Sequence, residues 1–142
     1  MARAKFRAEV LTPEGSFFDE EVEMVSTRTG TGSIGILARH QPLLGMLEPT
    51  ELRLYRSESD IVTYAQGEGY IQVSPEGVLV LVEEAHAPGD LDAADLREKQ
   101  RKAQDELAAA APGSEEARRA ARAKRRWDAF LEIAEGGGAS SS

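Results

Sequence analysis

"GTGSIGILARHQP", residues 30–42, carries the spacing G-x-G-x-x-G and, beyond it, a histidine two positions before a proline. Read as a dinucleotide-binding turn, it makes the chain a doubly wound α/β enzyme; read as a glycine-supported bend, it leaves a chain of short strands. The dinucleotide reading needs a strand before the glycines, which Val22–Thr27 supplies, and a helix that starts among them. The helix fails. Pro42 pushes Gln41 out of helical space, Ile34-Gly35-Ile36-Leu37 suits a strand, and no alternating β/α pattern follows. The glycines are expected at turns that join short strands.

His40 has no catalytic company. The only other histidine is His86, no serine sits in a G-x-S-x-G elbow, and neither histidine has metal-ligand spacing. With no cysteine there is no thiolate nucleophile, disulfide framework or cysteine metal site. No catalytic residue, metal or cofactor is expected. A net charge of −8 argues against nucleic-acid binding, and no apolar run reaches the ~20 residues of a membrane helix. The N-terminal stretch lacks the apolar core of a signal peptide, so secretion is not expected.

Outward from the opening stretch, the chain reads as strands to about residue 89. Lys5–Val10 alternates polar and apolar, Thr12-Pro13-Glu14-Gly15 is a turn, and Val22, Met24, Leu52, Leu54, Ile71 and Val73 continue the alternation. Gly67, Gly69 and Pro75-Glu76-Gly77 punctuate it, and Val78–Val82, apolar throughout, is expected to be buried on both faces. Many short strands with closely spaced turns predict a β-sandwich or barrel.

After Pro88-Gly89 the period changes to 3.6. Asp92 is placed to cap a helix, with Asp95 in its first turn, and Leu96, Ala103, Leu107 and Ala110 share one face. Pro112-Gly113 breaks that helix and Ser114-Glu115-Glu116 starts another, whose seam is Ala120, Ala123, Trp127, Phe130 and Ala134. The predicted chain is α+β: an N-terminal antiparallel β-sandwich over 1–89, a C-terminal antiparallel two-helix hairpin over 90–135, and a flexible tail over 136–142. The alanine-rich seams bury little area, so the hairpin is expected to open readily.

"GSIGILARHQPLL" (32–44) resembles the signature of the epsilon subunit of F-type ATP synthases, G-x-(Leu/Ile)-G-(Ile/Val)-(Leu/Met)-P-x-H-x-P-L. "FRAEVLTPEG" is similar to that family's first strand and turn, "EGYIQV" to its G-G-F-x-x-V segment and "VLVLVEEA" to its V-T-(I/V)-L-A-x-x-A strand, and the hairpin matches its C-terminal domain in position and length. Ala38 replaces the usual proline, Glu68 a glycine, and Glu83 a residue often acidic or small.

The resemblance implies a non-catalytic rotor subunit. Its sandwich would clamp the gamma subunit and rest on the c-ring of the membrane sector. Its helices would fold down or extend into the alpha/beta catalytic head and block ATP hydrolysis. It maps Thr31, Gly32, Ser33, Arg39 and His40 to the ring-facing edge, with polar contact and no lipid insertion. It maps the basic run Arg118, Arg119, Arg122, Arg125 and Arg126 to an acidic segment of the beta subunit. The implied location is peripheral, on the cytoplasmic face of a bacterial plasma membrane rather than a thylakoid. Some family members bind ATP through an (Ile/Leu)-Asp-x-x-Arg-Ala motif at the start of the first helix, where this chain has Leu91–Leu96 and keeps the acidic residue as Asp92. Here their arginine is Asp95, so even with Arg122 and Arg126 nearby, ATP binding is expected to be weak or absent. The periodicities alone also fit a free-standing β-sandwich adaptor whose hairpin binds a partner helix, and co-purified partners separate the two readings.

Overall fold

The computed structural model describes residues 3–136; positions 137–142 of the predicted tail lie outside the described residues. Two compact units meet between Ala87 and Pro88.

The first unit holds ten strands among the described residues: β1 (Phe6–Thr12), β2 (Gly15–Val22), β3 (Met24–Thr29), β4 (Gly32–Leu37), β5 (Leu43–Leu47), β6 (Thr50–Tyr55), β7 (Ile61–Gln66), β8 (Gly69–Ser74), β9 (Gly77–Val82) and β10 (Ala85–His86). Their order is β10-β7-β6-β3-β5-β8-β9-β1-β2, with β4 added on β3. β3 meets β6 through Met24–Ser26 but touches β5 at one position only, Thr29 opposite Leu47. That thin junction lets the sheet fold over, and its inward residues form one core that includes Val10, Val25, Leu52, Leu54, Ile71 and Val80. The predicted alternation accounts for Val10, Leu52, Leu54 and Ile71, each at the buried phase of a period-2 strand, whereas in β3 the buried phase falls on Val25 and leaves the expected Met24 half-buried.

Three details differ from the sequence reading. First, the sandwich is not purely antiparallel, because β1 lies parallel to β9, with Ala8–Leu11 opposite Val78–Leu81. A parallel pair needs a long crossover, and here everything from β2 to β8 serves as one. Second, β9 is not buried on both faces. Val78, Val80 and Val82 point inward while Leu81 is 42% exposed, since the outer face of this sheet carries no covering layer in the unit. Third, Gly35 is no turn residue. It sits within β4 opposite Ser26, whereas Gly30 is in the turn and Gly32, with φ of 131°, begins β4 opposite Thr29.

The second unit begins with a 3-10 turn at Pro88–Asp90 and contains α1 (Ala93–Ala109) and α2 (Glu115–Ala134). The Asp92 carboxylate accepts from the amides of Ala94 and Asp95, and the Ser114 hydroxyl accepts from that of Ala117, so both predicted caps form. Ala110 turns extended and ends α1 before Pro112, so it caps the predicted face rather than continuing it. Leu96, Ala103, Ala120 and Phe130 are buried as the periodicity indicates; Leu131 is buried too, outside the predicted seam. Cross-helix pairs run Arg97 to Glu135 at 2.8 Å and Gln100 to Asp128 at 2.6 Å, which makes the hairpin antiparallel.

Candidate functional site

The opening stretch forms a strand with a structured bend at each end. At one end, Gly30 and Thr31 make the tight turn from β3 to β4. The Thr29 hydroxyl sits 3.0 Å from that of Thr31, donates to the Gly32 carbonyl at 3.2 Å and accepts from the Thr31 amide at 3.3 Å. The Gly30 amide donates to the Met46 carbonyl, and the Glu48 amide to that of Arg28, so the tip is bonded to the end of β5 and the residue after it. Beneath it lies Gln66, wholly buried. Its side chain accepts from the Thr27 hydroxyl at 2.9 Å and donates to the carbonyls of Glu48 and Gly67. Thr31 and Ser33 remain exposed on this braced tip.

At the other end, Arg39 is exposed and left-handed, with φ of 63°. His40 is half-buried, and each ring nitrogen meets a carbonyl oxygen, those of Leu37 and Ser74. Thr31, Gly32 and Ser33 are thus gathered at the tip, while Arg39 and His40 lie at the far end of β4, about 17 Å along an extended strand.

A second feature escaped the sequence reading. Leu44 is 73% exposed, Met46 67% and Tyr70 52%. Met46 pairs with Tyr70 and Tyr70 with Leu81, and the row continues to Leu11, so these side chains line one outer sheet face. Glu9 and Asp19 flank the row on the same pleat. The signal was present in "LLGML" (43–47), but a short apolar run does not reveal which of its residues point outward.

The basic run on α2 is partly neutralised by acids outside it. Arg118 pairs with Glu115 at 3.0 Å and donates to the Gly113 carbonyl, and Lys124 pairs with Asp128 at 2.9 Å. Arg126 stacks on Trp127 at 4.2 Å, with Lys99 also 4.8 Å from the Trp127 ring. Arg119, Arg122 and Arg125 are exposed. Asp92 caps α1 and Asp95 pairs with Lys99 at 3.1 Å. In the antiparallel register Arg122 lies roughly 20 Å along the axis from Asp92, so the hairpin does not bring those two together. No group of metal-binding side chains and no membrane-length apolar helix occurs among the described residues.

Residues 5–88 match the family model for the ATP synthase delta/epsilon chain, beta-sandwich domain. An ATP synthase epsilon chain from Halalkalibacterium halodurans is 34% identical over 125 residues, covering 88% of this chain and 93% of that one. The chain belongs to the ATP synthase epsilon-chain family. An epsilon chain from Persephonella marina is 43% identical over 84 residues, 59% of this chain and 62% of that one. Among solved structures, a chain of the Euglena gracilis mitochondrial ATP synthase, from a structure of its OSCP/F1/c-ring, superposes with a TM-score of 0.71. It covers 100% of this chain and 84% of that one at 19% identity, a likeness of fold. An epsilon chain is a non-catalytic subunit of the synthase, and the opening stretch forms a β-strand with a bend at each end rather than a strand–turn–helix nucleotide motif.

Proposed function

We propose that this epsilon chain couples the gamma subunit to the c-ring in the rotor of the synthase and restrains ATP hydrolysis through its helices. The carrying observation is the outer apolar row. Leu44, Met46, Tyr70 and Leu81 form a contiguous apolar surface of the kind that marks a protein interface. It is flanked by Glu9 and by the Arg7–Asp19 ion pair at 2.7 Å, which favour a partner with an apolar centre and a polar rim, and gamma is assigned to it. Thr31, Gly32, Ser33 and Arg39, on the β4 edge, are assigned to the polar loops of the ring. His40 supports that edge instead of touching the ring, because both ring nitrogens already face carbonyl groups. Arg119 and Arg122 are assigned to the acidic segment of the beta subunit, with Arg118, Arg125 and Arg126 contributing once their local partners are exchanged. The assembled subunit lies at the cytoplasmic face of the membrane without entering lipid.

Leu44→Glu with Met46→Glu tests the docking face. Both side chains are exposed, so the isolated chain should keep its fold while co-purification with gamma falls at least about tenfold, the equivalent of ~1.4 kcal/mol. Undiminished co-purification would move gamma to another surface.

A further inference from the structure

We infer that His40 is the positioning residue of the bend at 38–42, and that it ties β4 to β8 through both ring nitrogens only while the ring carries two protons. Nδ1 lies 2.5 Å from the Leu37 carbonyl oxygen and Nε2 lies 3.2 Å from the Ser74 carbonyl oxygen. Both partners are acceptors. A neutral imidazole has one N–H, so in that form one nitrogen would aim its lone pair at a carbonyl oxygen; the imidazolium donates to both. The ring is held in place for this by Phe6, which meets it edge-on at 5.3 Å and 75°.

The bend needs such a tie. Arg39 is the one non-glycine residue with a positive φ among the described residues, and a left-handed arginine persists only where its surroundings hold it. On its N-terminal side Ala38 fixes no backbone angle of its own. On its C-terminal side His40 joins two strands that are distant in sequence. Three elements pack on the ring: β1 through the Phe6 side chain, β4 through the Leu37 carbonyl and β8 through the Ser74 carbonyl. None of those contacts is ionisable; the charged residues flanking them in the chain are Lys5, Arg7, Arg39 and Glu76. The bend is therefore closed when His40 is protonated, and loses one anchor when it is not. Only the consequence for the assembled rotor rests on the proposed ring-facing role of this edge.

The test is NMR on the full-length, ¹⁵N-labelled chain, following the ring nitrogens of His40 with His86 as the internal comparison. Amide hydrogen exchange over residues 38–43 is recorded through the same pH series and corrected for intrinsic rates. As the His40 ring loses its second proton, corrected exchange in the bend should rise roughly tenfold, the equivalent of one lost hydrogen bond. His40→Phe, which keeps an aromatic edge for Phe6 and removes both donors, should exchange fast at every pH. Flat exchange through the His40 titration, or a pH response that persists in His40→Phe, would overturn the tie. Were that variant unfolded, a neutral His40 ring with a fully protected bend in the native chain would overturn it equally. All arms use the isolated chain, so their failure leaves the ring contact untouched; failure of the contact, read by Arg39→Glu on binding to the purified ring, leaves the tie untouched.

Discussion

Gly69 begins β8 where there is no room for a side chain. A Cβ there would lie 1.9 Å from the Leu81 carbonyl oxygen and 2.7 Å from the Val82 Cα, both backbone atoms of the neighbouring strand. Backbone cannot rotate aside as a side chain does, so β8 and β9 would have to part. Gly69→Ala should lower stability by about 2–3 kcal/mol in urea unfolding of the full chain. The same substitution at Gly35, whose added Cβ would meet only the Met24 sulfur at 3.8 Å, should change it little. Equal effects at the two positions would mean that β8 and β9 separate more easily than their register implies. Gln66 makes a related point about what a sequence hides. A glutamine before a glycine looks like the start of a surface turn, yet its amide is the buried brace of the β3–β4 tip, satisfied by Thr27, Glu48 and Gly67. Those partners are brought together only by folding, and no local pattern announces them.

The helical hairpin shows where periodicity is enough and where it is not. Asp92, Ser114 and the Pro112-Gly113 break could be read directly, because caps and breaks are local chemistry. So could the buried phase of α2 at Ala120 and Phe130. The polar seam was illegible, since Gln100 and Asp128 meet only once the helices are antiparallel. Likewise β9 seemed two-sided because Leu79 and Leu81 are apolar, and hydrophobicity alone does not say that a second layer exists to cover them. Asp128 gives the seam a pH dependence. Partial burial pushes its carboxyl up, but hydrogen bonds from Gln100 and Lys124 and the Lys124 charge outweigh that, and the net direction is down. A carboxyl lowered in the folded state stabilises at pH above its unfolded value, near 3.9, and that contribution is lost as pH falls through the folded value. Neutral solution should thus favour the closed hairpin, and acid below about pH 4 should loosen it. Asp128→Asn should remove the acid transition in the fluorescence of Trp127, the one tryptophan of the chain. The expected loss of helix stability is small, ~0.3–0.5 kcal/mol for a helix pair of i,i+4 spacing. An unchanged acid transition in Asp128→Asn would place the response elsewhere.

At the scale of the molecule, the division between Ala87 and Pro88 separates two kinds of cohesion. The core of the first unit is drawn from nine of the strands and includes no helical residue. A chain ending at Gly89 should fold with a cooperative transition and still co-purify with gamma. In the assembled complex its ATP hydrolysis should equal or exceed that with the full chain, because the basic stripe of α2 is gone. Loss of assembly in the shortened chain would show that the helices are part of the docking surface. Slower hydrolysis would reverse the role proposed for them.

The parallel pairing of β1 with β9 has a further consequence, for the order in which the chain is made. Val10 leaves the ribosome early, yet its neighbour Val80 is translated only after β2 to β8 have all emerged. At about 5–20 residues per second, the first strand waits several seconds with one edge open. During that interval Leu44, Met46 and the uncharged run from Gly32 to Leu37 are also in the open, without the finished core behind them. The open edge of the first strand is thus an aggregation hazard until Val78–Val82 arrive, and it is covered when that last long strand slots in beside the first.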